Sequence, residues 1–161
     1  RPVFAAEGTV TAGNASGIND GAAALLVVEE SKARSLGLEP LARIISTGVA
    51  GVEPHRMGMG PVPSTRIALE RAGFGVDDLD LIELNEAFAS VVLKFLRDLD
   101  VSPDKVNVNG GTIAAGHAMG ATGAILTSVL LDELERRDKT LGLVAISGGA
   151  GLGSAMVIER V

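Results

Sequence analysis

The sequence predicts a mixed α/β domain, in which a parallel-rich sheet carries helices on both faces and closes on a final hairpin. Strand and helix patterns alternate along most of the 161 residues, with no linker or low-complexity break between them. Apolar residues make up 47% of the chain and aromatic residues only 2%, so the core must be aliphatic. The length suits one ordinary domain with a sizeable core.

The first third of the chain contains two strand patterns and one helix pattern. Residues 1–21 lack periodicity and are predicted to be a loop and lead-in, with the domain itself spanning residues 22–161. The uninterrupted apolar run Ala22–Val28 is typical of a strand buried on both faces. A short helix is predicted over Glu29–Leu36, and Leu41–Val49 is rich in the β-branched residues that favour a strand.

The same alternation continues to the end of the chain. The stretch 51–63 holds three prolines and three glycines, which predict a loop of fixed shape. The remaining patterns predict helices over Thr65–Ala72, Asn85–Leu99 and Ala121–Arg137, and strands over Leu79–Leu84, Val106–Val108, Leu141–Ile146 and Ala155–Ile158.

Charge and residue content exclude several classes of function. The net charge is −6 and no basic stripe is present, so nucleic acid is not an expected partner. The longest apolar run is too short to cross a bilayer, and the N-terminal residues do not form a signal peptide. The chain has no cysteine and no acidic or histidine cluster with metal spacing, so we expect neither a metal nor a resident cofactor. The missing initiator methionine suggests a fragment or a processed piece.

One of the two histidines, His117, lies in the small-residue stretch Val108–Gly123, directly before the longest helix pattern. Small residues let a backbone and a ligand approach closely. An imidazole held there can take a proton near neutral pH. A glycine-rich turn with an incidental histidine explains the stretch equally well.

The glycine-rich tail Gly148–Gly153 does not predict a dinucleotide site. Such a site needs a helix after its glycines, and here a strand pattern follows. No Gly-Lys-Ser/Thr sequence exists, which excludes a P-loop. His55 lies beside Arg56 in the Pro/Gly loop and is expected to be solvated rather than catalytic.

Polar groups follow three of the predicted strands, at Asn85, at His117 and at Ser147 with Gly149. If the sheet is parallel-rich, these strand ends share one edge and the four groups are expected to converge. A carboxamide, an imidazole, a hydroxyl and a backbone N–H are suited to holding an oxyanion and moving a proton. The pattern therefore favours an acyl-transfer site, with scattered capping residues as the alternative.

Several stretches resemble the C-terminal half of a thiolase, the family of acetyl-CoA acetyltransferases and 3-ketoacyl-CoA thiolases. Each stretch is weak evidence alone, but together they lie in the family's order and cover nearly the whole chain. The matching stretches are Thr11–Ala23, Met57–Pro63, Asn85–Ala89, Asn107–His117 and the glycine-rich tail that ends at Ala155–Arg160.

The resemblance implies a layered α-β-α domain with a mixed, parallel-rich five-stranded sheet, the second of two similar halves. It also implies thiolysis of a 3-ketoacyl-CoA or the reverse Claisen condensation, with coenzyme A as a substrate rather than a bound cofactor. In the family, a cysteine of the N-terminal half becomes acylated, so that half is an expected partner. The whole enzyme is expected to be a homo-oligomer in the cytoplasm, with mitochondria or peroxisomes as alternative locations.

The resemblance also implies residue roles. His117 matches the histidine that activates the cysteine and helps to bind the thioester oxygen, and Asn85 matches the asparagine that holds a water in the same oxyanion hole. Gly149 matches the glycine whose N–H contributes to a second hole. Binding roles fall on three further positions: coenzyme A at Ser16, and the acyl pocket at Met57 and Phe88.

The chain departs from the family pattern at two positions. Ser147 stands where the family has a cysteine that moves the proton of the substrate α-carbon, and a hydroxyl is a far weaker acid than a thiol of pKa about 8.5. Ala118 replaces the usual proline, so His117 is expected to be held less rigidly. We therefore predict that this chain alone is inactive and supplies acid–base and oxyanion groups to a site completed elsewhere. A non-catalytic acyl-CoA-binding module and a purely structural fragment are the alternatives.

Overall fold

The computed structural model describes residues 1–161, and its centre is a four-stranded mixed sheet. The strands lie in the order β1-β4-β3-β2. The outer strand β1 and the strand β3 are both antiparallel to β4, whereas β2 and β3 are parallel. The strands are β1 (Ala42–Gly51), β2 (Leu81–Leu84), β3 (Leu141–Gly148) and β4 (Leu152–Arg160).

Five helices and several short 3₁₀ turns connect the strands. None of the helices is both long enough and apolar enough to span a bilayer. Helix α1 precedes β1, α2 lies between β1 and β2, and α3, α4 and α5 lie between β2 and β3. The helices are α1 (Glu30–Ser35), α2 (Pro61–Ala72), α3 (Ala89–Leu99), α4 (Thr112–Ala115) and α5 (Thr122–Arg136).

Helices cover both faces of the sheet and produce two separate apolar cores. Neighbouring residues of a strand point to opposite faces, so Ile82 belongs to the core beneath α2 and α3, whereas Leu81 belongs to the core beneath α5. Helix α5 buries Leu126, Leu130 and Leu134, which recur every four residues along one side of the helix. The predicted α/β class with helices on both faces is therefore confirmed.

The sheet is mixed, as predicted, but it has fewer strands and fewer parallel pairs than expected. It has four strands rather than five, and two of its three pairs are antiparallel rather than parallel. The run Ala22–Val28 forms no strand, and its side chains are exposed, with Leu26 at 77% and Val27 at 70%. A strand must pair its backbone N–H and C=O groups, and no strand of the sheet pairs with this run. Val106–Val108 is reduced to one bridge, between Val106 and Ile82.

The other predicted elements are present with shifted ends. Helix α2 begins at Pro61 rather than Thr65, because prolines fit the first turn of a helix, where no N–H partner is needed. Helix α3 begins at Ala89 rather than Asn85. The four residues before it, Asn85 to Phe88, are irregular, and Asn85 is buried at the end of β2. The final hairpin, β3 to β4, is confirmed.

The connection between β1 and α2 packs backbone to backbone against the β3–β4 turn. The N–H of Val52 donates to the carbonyl of Gly151 at 2.7 Å. A Cβ added to Gly151 would overlap the Val52 backbone, and one added to Gly153 would overlap the backbone of Gly60. These glycines therefore allow an approach that a side chain would prevent.

Candidate active site

The carboxyl ends of β2 and β3 form the edge at which the candidate site lies. These strands are parallel, with Leu84 opposite Ala145, and the N–H of Asn85 donates to the Ala145 carbonyl at 2.9 Å. Asn85 therefore leaves β2 beside the last residues of β3, which include Ser147. Both side chains are buried, Asn85 at 0% and Ser147 at 6% exposure. The two were predicted to share an edge, and they do so because this strand pair is parallel although most of the sheet is not.

Thr112 determines which way the Asn85 carboxamide faces. The Thr112 hydroxyl donates to Oδ1 of Asn85 at 3.0 Å and accepts from the N–H of Glu86 at 2.9 Å. With Oδ1 engaged, the Nδ2 group of Asn85 is left buried and without a partner. A buried donor without an acceptor costs about 1–3 kcal/mol. An oxygen atom of a ligand or of a bound water would remove that cost.

The Glu86 carboxylate joins this strand end to the loop that carries the histidine. It accepts hydrogen bonds from the N–H of Ile113 at 3.1 Å and from Nδ2 of Asn107 at 2.8 Å. A Cβ added to Gly111 would overlap the Glu86 carboxylate, so glycine at this position lets the carboxylate lie against the loop. The loop after residue 106 is thus fixed against Asn85 by a carboxylate rather than by a strand ladder.

His117 is held at its backbone and at its ring. Its N–H donates to the carbonyl of Gly17 at 3.0 Å, and its Nδ1 lies 2.8 Å from the Thr122 hydroxyl. Partial burial lowers the pKa of the His117 imidazole from its usual value. Burial thus favours the neutral ring, the form in which an imidazole accepts a proton.

A short extended segment, residues 15–19, joins the Asn85 junction to the His117 junction. At one end Ala15 pairs with Phe88, and the N–H and hydroxyl of Ser16 both donate to the carbonyl of Ala87, at 3.1 and 3.3 Å. At the other end Ile18 pairs with His117. Ser16 therefore lies against the Asn85 junction, of which Phe88 is part, and the binding roles of both residues stay predictions.

The β3–β4 turn supplies the remaining predicted groups. The Ser147 hydroxyl is buried and has no hydrogen-bond partner. Gly149 begins a 3₁₀ turn, Gly149–Gly151, and a Cβ added to it would meet nothing within 4 Å, so the space beside it is open. Ala150 adopts the left-handed conformation with φ of 62°.

Asn85, Ser147 and Gly149 lie at the carboxyl ends of two parallel neighbouring strands, and the convergence of His117 with them stays a prediction. No hydrogen bond joins His117 to Asn85 or to Ser147. Met57 lies in the 3₁₀ stretch Pro54–Met59, which packs against the Gly149–Gly151 turn and, at Gly58, against Val91 of α3. His55 is exposed, as expected for a solvated residue.

Two threonines that orient the site residues were not singled out from the sequence. Thr112 lies in α4 and Thr122 at the start of α5, and both are buried. The only signal for Thr122 is its position five residues after His117, at the start of a helix pattern. Nothing in the sequence indicates that Thr112 reaches Asn85, because the contact depends on the irregular path of the loop.

Comparison with known proteins decides the family. The model of the thiolase C-terminal domain matches residues 38–160, and the model of the thiolase N-terminal domain matches residues 1–31. The chain belongs to the thiolase family. The predicted resemblance is confirmed, and the exposed run Ala22–Val28 falls within the part of this thiolase chain that the N-terminal model matches. The proposed division at residue 21 stays a prediction.

Individual thiolases resemble the whole of this chain. It is 58% identical over 161 residues to an acetyl-CoA acetyltransferase of Escherichia coli K12, covering 100% of this chain and 41% of the relative. The crystal structure of the Bacillus anthracis acetyl-CoA acetyltransferase superposes with a TM-score of 0.96 at 47% identity, over 100% of this chain and 41% of that one. Human mitochondrial 3-ketoacyl-CoA thiolase in complex with CoA gives 0.90 at 40% identity, over 99% and 41%. The chain thus spans about two fifths of the proteins it matches.

Proposed function

We propose that this chain is the C-terminal portion of a thiolase that transfers an acyl group between acyl-CoA and coenzyme A, by thiolysis of a 3-ketoacyl-CoA or by the reverse condensation. The observation that carries the proposal is the pair of buried, unpartnered polar groups at the β2–β3 edge, Asn85 Nδ2 and Ser147 Oγ. Buried polar groups without partners are rare in folded proteins and mark sites that a ligand or water completes. In a thiolase chain, that ligand is the thioester.

The proposed mechanism begins with a cysteine thiol supplied by the N-terminal half. Neutral His117 takes the thiol proton, and the thiolate attacks the thioester carbonyl carbon. The developing oxyanion is stabilised by hydrogen-bond donors of one hole, which include the N–H of Gly149. The thioester oxygen of the second substrate lies in the other hole, beside His117 and a water held by Asn85 Nδ2. Collapse of the intermediate expels the thiolate of coenzyme A, which receives the proton from His117 and leaves an acyl-enzyme.

Ser147 limits the carbon–carbon step in this scheme. Thiolysis requires a proton to be delivered to the α-carbon of the departing enolate, and condensation requires its removal. A serine hydroxyl is a poorer proton donor and acceptor here than a thiol, whose pKa of about 8.5 can be lowered further. We therefore expect acyl transfer between thiols to be faster than cleavage of a 3-ketoacyl-CoA.

We further propose that the partner is an N-terminal thiolase half. The exposed apolar side chains at Leu25 to Val28 need a covering surface. A strand of the second half beside this run would provide the backbone partners that it lacks here. In the whole protein we expect a homo-oligomer that works in the cytoplasm, and the chain alone to be inactive because it has no cysteine.

The test is thiolysis of acetoacetyl-CoA by a hybrid, in which an N-terminal thiolase half carrying the acyl-accepting cysteine precedes this chain. We expect no thiolysis from the 161-residue chain alone. We expect slow thiolysis from the hybrid and a rise of about 100-fold with Ser147→Cys, the size of effect that a positioned acid–base group provides. Turnover by the isolated chain, free of contaminating enzyme, would contradict the proposal.

A non-catalytic acyl-CoA-binding module is the second candidate, and the Ser147 hydroxyl in place of a thiol is the observation that favours it. The same hybrid distinguishes the two. A folded Ser147→Cys hybrid that binds coenzyme A but stays inactive would favour the module. A folded hybrid that does not bind coenzyme A at all would contradict both.

A further inference from the structure

The hydrogen bonds around Thr122 determine which nitrogen of His117 carries the proton. The Thr122 hydroxyl lies 2.8 Å from Nδ1 of His117 and 2.9 Å from the carbonyl oxygen of Ala118. A hydroxyl has one hydrogen, so it can donate to only one of these two groups. The other group must either donate to the hydroxyl or face it without a hydrogen between them.

Only one arrangement makes both contacts favourable. A carbonyl oxygen cannot donate, so the hydroxyl of Thr122 donates to Ala118, and Nδ1 of His117 must then donate to the hydroxyl. The opposite arrangement would place two oxygen acceptors 2.9 Å apart with no hydrogen between them. The Ala118 carbonyl also accepts from the N–H groups of Ala121 and Thr122, each at 2.8 Å, so what decides between the arrangements is the repulsion of two buried oxygens rather than an unfilled acceptor.

We propose that Thr122 is a positioning residue that holds neutral His117 in the Nδ1–H form, with the lone pair of Nε2 free to accept a proton. The backbone of His117 is held independently, by Gly17 and by Oδ1 of Asn19 at 3.3 Å. Contacts of the backbone therefore hold the position of His117, and the contact of its ring with Thr122 determines which nitrogen carries the proton. The Thr122 contact also supplies restraint where Ala118 cannot provide the rigidity of a proline.

The value of this arrangement for acyl transfer rests on the proposed function, but the arrangement itself can be measured without any turnover. A base must present an unprotonated nitrogen to the group that it deprotonates. With Nδ1 protonated and bound to Thr122, only Nε2 meets that requirement. Loss of the hydroxyl would let the ring proton occupy either nitrogen, and part of the population would lose its basic Nε2.

The experiment is ¹⁵N NMR of the ring nitrogens in the ¹⁵N-histidine-labelled 161-residue chain, at a pH where the imidazole is neutral. The chain has only two histidines, so His55→Gln identifies the signals of His117. Magic-angle-spinning spectra give the same information if the chain associates. We expect about 90% of neutral His117 to carry its proton on Nδ1, since a net hydrogen-bond contribution near 1.4 kcal/mol corresponds to a tenfold preference.

Three variants separate positioning from a structural effect. Thr122→Val removes the hydroxyl at nearly constant shape and is expected to lower the Nδ1–H fraction toward one half, while Thr122→Ser retains the hydroxyl and the preference. Thr127→Val removes another buried hydroxyl of α5, one that bonds only to Gly123, and should leave His117 unchanged. The proposal would be overturned if His117 of the native chain carried its proton mainly on Nε2. It would also be overturned if a folded Thr122→Val variant kept the native Nδ1–H fraction. The native measurement decides the matter even if Thr122→Val fails to fold.

Discussion

Asn85 and His117 each depend on one threonine hydroxyl for the direction in which they present their polar atoms. Thr112 occupies Oδ1 of Asn85, and Thr122 lies against Nδ1 of His117. The site residues themselves could be chosen from the sequence, because polar residues at strand ends and a histidine among glycines are local signals. Their orienting partners could not, since these contacts join residues 27 positions apart in one case and depend on loop geometry in both.

Ala150 is expected to be a strained residue whose replacement by glycine stabilises the chain. Its φ of 62° costs an alanine about 1–2 kcal/mol, whereas the extra freedom of glycine in the unfolded chain costs about 0.4–1 kcal/mol. Ala150→Gly should therefore raise the free energy of unfolding by about 0.5–1 kcal/mol in urea denaturation. Ala114→Gly, at an exposed position of α4, is the control and should be destabilising. Equal decreases in the free energy of unfolding for Ala150→Gly and Ala114→Gly would show that Ala150 carries no strain.

Glu83 is expected to make stability depend on pH. Burial, and then the charges of Glu86 and Glu133, raise the pKa of the Glu83 carboxyl from 4.5 to about 7. The folded chain thus favours the protonated acid, and this stabilisation is complete below pH 4.5 and lost as the pH rises through about 7. The loss amounts to about 3 kcal/mol.

The measurement is the free energy of unfolding of the native chain and of Glu83→Gln across that range of pH. The two proteins should have similar stabilities at low pH, and the variant should be the more stable above pH 7, because glutamine never ionises. Glu135→Gln, at an exposed position of α5, should follow the native profile. A constant difference between native chain and Glu83→Gln at every pH would contradict this account.

At the scale of elements, periodicity predicted most helices and strands but not how they pair. Helix α5 and the hairpin β3–β4 were predictable because each has its own pattern and its partner is adjacent in sequence. The antiparallel pairing of β1 with β4 was not predictable, since it joins residues more than a hundred positions apart. The apolar run Ala22–Val28 has the composition of a buried strand but pairs with no strand of the sheet, and composition alone does not reveal that lack.

The contact between Gly153 of β4 and Gly60 before α2 is expected to be essential for the packing of these elements. A Cβ at Gly153 would overlap the Gly60 backbone, which cannot move aside as a side chain would. Gly153→Ala should lower the free energy of unfolding by about 3 kcal/mol, the upper part of the range for overpacking. Gly51→Ala places a Cβ where nothing lies within 4 Å and serves as the control. Similar thermal midpoints for the two variants would show that the close approach is unimportant.

At the scale of the whole molecule, the sheet and its two helical layers make a complete core, while the N-terminal 31 residues remain largely exposed. Those residues match the thiolase N-terminal domain model, and residues 38–160 match the C-terminal one. The sequence allowed the family and the layered architecture to be predicted because both are distributed over many positions. It did not show that the apolar run stays exposed, because burial depends on three-dimensional packing that composition does not reveal.

Because of this exposed apolar run, the isolated chain is expected to associate in solution. Leu26 and Val27 are among several large apolar side chains that face solvent, and such surfaces promote self-association. Light scattering at about 20 micromolar, within the range where exposed apolar surface leads to aggregation, should show species larger than a monomer. A Leu26→Ser, Val27→Ser double variant should shift the distribution toward monomer. A monodisperse native monomer would contradict the expectation.

The central claim is that His117 activates a cysteine supplied by a second thiolase half. The most direct test is mass spectrometry of that cysteine after the hybrid, with Ser147 retained, is mixed with acetyl-CoA. We predict that the cysteine becomes acetylated and that His117→Ala slows acetylation by about 100-fold or more, the contribution expected of a general base. Acetylation of the folded His117→Ala hybrid at the rate of the parent hybrid would contradict the account.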